Sequence, residues 1–188
     1  MELLGVFSAF GLSVSAGLNA YIPLLTIALM ARFTDLIKLA SPWDALTSWW
    51  IIGLLVVLSV IEFFADKFPV VNHVNDAIQT FVRPTAGAIA FAASANVITE
   101  VSPVLSLAAG LLLAGSVHAA KSLAVRPAVT AATAGIGSTP VSILEDGAAT
   151  LISVLAVVIP VVIGVVLLLA ALLIFRWISL RQRRSPSV

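Results

Sequence analysis

The sequence predicts an all-α protein, a polytopic transmembrane helical bundle of about five spans, and three observations carry that prediction. The 188 residues are 61% hydrophobic and 10% charged, with a mean hydropathy of +1.15, against about 45–50% apolar and about 25% charged in a soluble domain. Several apolar runs are long enough to cross a hydrocarbon core of about 30 Å at about 1.5 Å per residue. Between them, prolines and clusters of ionisable residues punctuate the chain. Such clusters are costly at membrane depth and mark a pathway, a site or a paired brace.

Composition also excludes function classes. A formal net charge of +1 leaves no basic surface for nucleic acid. With no cysteine, disulfides, thiolate metal sites and a cysteine nucleophile are excluded. The opening MELLGVFSAFGLSVSAGL has an acidic residue where a signal peptide carries its basic region, and it reads as a retained first span.

That first span covers Leu3 to Met30. Ser8, Ser15 and Asn19 recur along it at helical spacing, and Asn19 lies one turn before Pro23, whose missing donor frees a carbonyl nearby. These polar groups either bond neighbouring helices at a small-residue interface or belong to a helix opened at Asn19–Pro23 to present oxygens to a solute. Arg32 to Lys38 ends the span, and Ser41-Pro42-Trp43-Asp44 makes a turn toward Trp49-Trp50, a pair suited to the membrane interface. The second span is Ser48 to Phe64.

The stretch from Glu62 to Pro84 organises the rest. Glu62, Asp66, His73, Asp76 and Arg83 fall within roughly a 100° arc of a helix at about 100° per residue, although Pro69 kinks or breaks that helix. Val70 to Val82 is amphipathic and too short to cross, so it lies in the interface or dips back in. Pro84 to Ile98 is a thin span or one arm of a re-entrant hairpin. Beyond Glu100 and Pro103, Val104 to Ala124 is apolar until His118 and Lys121, which share a helix face. Arg126-Pro127 stops that helix, and Ala128 to Pro140 reads as non-helical linker.

Pro140, Glu145 and Asp146 mark a helix start. Gly147 to Phe175, kinked at Pro160, exceeds the bilayer core and needs tilt or two half-helices. A single transmembrane domain, 1–175, is thus followed by a basic tail, 176–188, whose Arg176, Arg181, Arg183 and Arg184 place it in the cytoplasm. His73-Val74-Asn75-Asp76 with Val82-Arg83-Pro84 is echoed by His118-Ala119-Ala120-Lys121 with Val125-Arg126-Pro127, a pattern that chance explains as well as a two-fold internal repeat does.

Ser15 to Leu25, Glu62 to Pro84 with its Ala65-Asp66-Lys67-Phe68-Pro69 element, His118 to Lys121 and Pro140 to Asp146 together resemble a bacterial membrane family catalogued as domain of unknown function 4126. The resemblance implies a small helical membrane protein and brings no established activity. Where its pattern expects aspartate before His73, this chain has Asn72.

The candidate polar-site residues are therefore Asn19, Glu62, Asp66, Lys67, His73, Asp76, Arg83, His118, Lys121, Arg126, Glu145 and Asp146. Near-equal acids and bases suit pairing across helices. Carboxylates with His73 and His118 suit a proton relay or a hard cation, with no tight metal motif present. Lys121, Arg126 and Arg83 suit a phosphate-bearing lipid, with Asp66 or Glu62 as base. The leading expectation is a small-ion or small-solute transporter or channel-like protein of the bacterial inner membrane, open to proton coupling. The alternatives are a structural or accessory membrane protein and a lipid-modifying enzyme. No cofactor is expected. The expected partners are membrane lipids, a small ion or solute, and a second copy of the chain.

Overall fold

The computed structural model describes residues 2–67, 69–95 and 102–182, and the described secondary structure is helical throughout. In order the helices are α1 (Glu2–Leu18), α2 (Tyr21–Phe33), a 3₁₀ turn (Trp43–Thr47), α3 (Trp49–Ala65), α4 (Pro69–Ala95), α5 (Pro103–Ala120), a π-helical turn (Lys121–Val125), α6 (Arg126–Thr133), α7 (Ser138–Val158) and α8 (Pro160–Gln182). Among the described residues two stretches, Pro103–Thr133 and Ser138–Val158, are long and apolar enough to cross a membrane.

The expected single span from Leu3 to Met30 is instead a helical hairpin. On α1, Ser13 donates to the Gly87 carbonyl and the Phe10 ring meets Phe91, with centroids 5.3 Å apart, so α1 runs opposite to α4. α2 returns beside α1: Leu36 and Ile37, just past its end, share a cavity wall with Leu4, Gly5 and Ser8 near the start of α1, while Tyr21 and Leu24 line another with Val82, Ala86 and Ile89. The reversal has a local cause. In a continuous helix the Ile22 N–H would bond the Leu18 carbonyl; here the N–H groups of Tyr21 and Ile22 both donate to Asn19 Oδ1, at 3.1 Å. Asparagine competes with the backbone in this way at helix starts. Asn19 and Ala20 are both buried, so the hairpin tip lies inside the protein.

α3 begins at Ser48, whose hydroxyl accepts from the Ile51 N–H, and climbs beside α2. Phe33 meets Trp49 at one end of that pair and Ala20 faces Glu62 at the other. The chain then turns at Asp66 and Lys67, before Pro69, which suits a first helical position.

Two further expectations are corrected. Up to Ala95, Val70–Val82 and the segment from Pro84 are not separate: α4 is one helix of 27 residues with Pro84 inside it, about 40 Å long at about 1.5 Å per residue, and residues 96–98 lie outside the described residues. Small residues on α4 and α5 explain its survival. A Cβ on Gly87 would strike Ala114, and one on Gly110 would meet Phe91 and Ala88, so the two backbones lie close enough for packing to offset the bond that Pro84 forfeits. Arg126-Pro127 does not stop α5 either. The Arg126 N–H reaches back to the Lys121 carbonyl, a π-type bond, and the widened turn carries the helix past Pro127 to Thr133. The non-helical linker shrinks to 134–137, where Ala134 and Gly135 take φ values of 50° and 89°.

α7 lies antiparallel to α1, joined by Ser8 to the Ala156 carbonyl and by Ser15 to the Ala149 carbonyl and to Ser153. These serines are interhelical bonds, one of the two readings the sequence allows. The long apolar run divides at Ile159–Pro160 into α7 and α8, and α8 continues past Phe175 through Arg176 to Gln182. Arg183 and Arg184 lie outside the described residues.

Candidate functional site

The hairpin tip ends against a cluster of charged side chains drawn from four directions. Glu62 and Asp66 close α3, Arg83 sits midway along α4, Lys121 and Arg126 flank the π turn, and Glu145 and Asp146 lie two turns into α7. Glu62 and Arg83 do not share one helix face, as a continuous helix would require. They meet across the turn between α3 and α4.

Arg83 is the innermost group, fully buried. Its Nε and Nη2 donate to Glu62 Oε1 at 3.2 and 2.9 Å, and Nη2 also reaches Asp66 Oδ2 at 3.4 Å. Its Nη1 lies 3.2 Å from His118 Nδ1. Guanidinium cannot accept, so Nδ1 is the acceptor and the neutral ring carries its proton on Nε2, which faces Thr80 Oγ1 at 3.2 Å. His118 and Lys121 do share an inward helix face, both buried, and the direct partner of His118 is Arg83.

Asp66 is the hub. Its Oδ2 accepts from Arg83 and, at 3.0 Å, from Arg126, with Lys121 at 3.9 Å, while Asn75 donates to Oδ1 at 2.6 Å. Glu145 Oε2 joins Lys121 at 2.8 Å and Arg126 at 3.3 Å. Lys67 pairs with Asp146 at 3.2 Å and lies over the Phe63 ring. The cluster thus sets Glu62, Asp66, Glu145 and Asp146 against Lys67, Arg83, Lys121 and Arg126, a formally neutral assembly.

The network also holds the broken helix. Lys121 donates to the Leu18 carbonyl released by the hairpin turn, at 2.9 Å, and the Ala20 N–H faces Glu62 Oε1 at 3.5 Å. Asn19 Nδ2 donates to Asp146 Oδ1 at 3.0 Å while its oxygen caps α2. Buried backbone groups need such partners. Burial is graded: the Glu62 and Arg83 side chains are 0% exposed, whereas Lys67 and Arg126 are 13% exposed. The open rim therefore faces the end where α6 and α7 join.

Of the predicted residues, Asn19, Glu62, Asp66, Lys67, Arg83, His118, Lys121, Arg126, Glu145 and Asp146 converge here. His73 and Asp76 lie on α4, but their side chains lie outside the described residues. Asn75 and Gln79 were missed. Asn75 has no sequence signal beyond its neighbours, whereas Gln79, now buried, precedes Arg83 by one turn and marks the same inward face. Among the described residues no group of three or more histidines and carboxylates could hold a metal ion. Lys121, Arg126 and Arg83 are each engaged by carboxylates.

A family model described as domain of unknown function matches residues 6–180. The chain belongs to this family, DUF4126. The match spans the hairpin and the whole ion-pair network. No curated protein and no solved structure matches the chain.

Proposed function

We infer that this DUF4126 protein moves a small ion or solute across the bacterial inner membrane through the polar centre at the hairpin tip, with its basic C-terminal end in the cytoplasm. One observation carries the reading: a buried helix break, Leu18–Asn19–Ala20, whose freed backbone groups are held by ionisable side chains. Non-helical backbone at membrane depth is tolerated where it is buried in protein or lines a cavity, and discontinuous helices of this kind form the binding sites of many transporters. At about 1.5 Å per residue, α1 and α2 reach about 25 and 20 Å, less than a core of about 30 Å. On this reading they form a re-entrant hairpin entering from one side, beneath a rim that opens to the other.

The neutral cluster, in which every ion has a counter-ion, favours a second reading, a structural brace without transport. Proteoliposome flux separates the two. The purified chain is expected to raise the flux of at least one of protons, sodium, potassium or chloride above that of empty vesicles, with Lys121→Met lowering it. No flux for any of the four would move the assignment to the brace.

A further inference from the structure

Among the described residues, the most deeply buried carboxylate is bonded on one side only. Glu62 Oε1 receives Arg83 Nε, Arg83 Nη2 and the Ala20 N–H, whereas Glu62 Oε2 is buried without a partner. One turn from Arg83, the Gln79 side-chain oxygen is a second buried acceptor without a partner. The Gln79 side chain hydrogen-bonds that of Tyr21, the first residue of α2, and the charge of Glu62 acts on the same Tyr21 side chain. An unbonded buried acceptor is destabilising, and each of these two oxygens would be relieved by a donor.

We propose that Glu62 is a proton-binding site: a proton from the rim adds to Oε2, making a neutral acid whose O–H turns toward Gln79 while every bond to Oε1 is kept. No bond other than the new O–H forms or breaks. The inference rests on the transport reading only for its purpose, supplying the proton as the ion that the tip handles.

The groups facing Glu62 fit this assignment. Arg83 approaches from α4, Asp66 from the end of α3, Lys121 from the π turn and Tyr21 from α2, with His118 of α5 behind Arg83. When Glu62 is neutral, Arg83 keeps a counter-charge in Asp66, 3.4 Å away. Asp66 is the poorer proton acceptor. Both of its oxygens are bonded and three cations surround it, which holds it ionised. Protonation of Glu62 weakens its hold on the Ala20 N–H, and so couples the proton to the tip.

Infrared difference spectra of the full chain in liposomes, recorded between alkaline and acid pH, test this directly. A neutral carboxylic-acid band is expected on acidification. It should shift in protein labelled with ¹³C-glutamate, disappear in Glu62→Gln and persist in Glu2→Gln, Glu100→Gln and Glu145→Gln. Where Glu62→Gln does not fold, Glu62→Asp should transfer the band's isotope sensitivity from glutamate to aspartate. A band indifferent to glutamate labelling, a band surviving in Glu62→Gln, or no band would overturn the proposal. Flux in the same liposomes is read separately: the band without any flux removes the transport reading and leaves the proton site, and flux without the band does the reverse.

Discussion

Two side chains decide how the tip and the cluster are joined, and they do so by different physics. Asn19 acts locally, satisfying two N–H groups of α2 with its oxygen and Asp146 with its amide. Asn19→Ala removes a cap worth about 1 kcal/mol and also strands a buried carboxylate oxygen, for about 1–3 kcal/mol more. A fall in thermal stability in detergent should result, larger than for an exposed cap; an unchanged melting temperature would mean that the turn forms without Asn19. Asp66 acts through charge. Asp66→Asn leaves Arg83 and Arg126 buried with a weaker partner, and loss of one member of such a pair costs about 3–5 kcal/mol. Asp66→Asn combined with Arg126→Met should recover much of that loss, since the surplus cation goes with the anion. Failure of the double variant to recover any stability would show that Asp66 is needed for more than balance. The sequence displayed these residue types plainly, because an ionisable group in an apolar chain has few uses. It could not display partners, which depend on helix directions.

Helix directions are set by features that read ambiguously in one dimension. Pro84 and Pro127 resemble stops, yet both lie within continuous helix, one carried by close packing against α5 and the other by the π turn. Propensity weighs little against such tertiary contacts. The π turn has a function in this architecture: its extra residue rotates α6 by about 100° relative to α5, which brings Arg126 onto the face that Lys121 also uses. Inserting one alanine after Leu123 adds about 100° of further rotation and should swing Arg126 away from Asp66, lowering stability as Arg126→Met does. Retention of wild-type stability in that insertion would remove the register of the π turn from the assembly of the site. The packing of α4 on α5 makes a matching prediction. Gly110→Val should cost about 1–3 kcal/mol or more by overpacking, while Gly53→Ala, with nothing within 4 Å of the added carbon, should cost nothing measurable. Equal melting temperatures for the two variants would contradict the close approach.

At the scale of the whole molecule, the hairpin turns an apparent span into two short arms, and this determines which ends of the chain share a side. The sequence could not decide the matter, because Leu3 to Met30 has the length and hydropathy of one crossing helix and the reversal rests on hydrogen bonds at a single asparagine. The structure sets the described end of α1 near the segment after α2: Leu4, Gly5 and Ser8 share a cavity wall with Leu36 and Ile37. Ile136, 82% exposed, lies at the far end, in the turn between α6 and α7. A chain with no cysteine permits a direct test with single cysteines and an impermeant thiol reagent in oriented vesicles. Leu4→Cys and Lys38→Cys should label from one side and Ile136→Cys from the other. A continuous first span demands that Leu4→Cys and Lys38→Cys label from opposite sides. That result would straighten the hairpin, remove the buried tip from the ion-pair network, and leave Lys121 and Glu62 without the backbone groups they now hold.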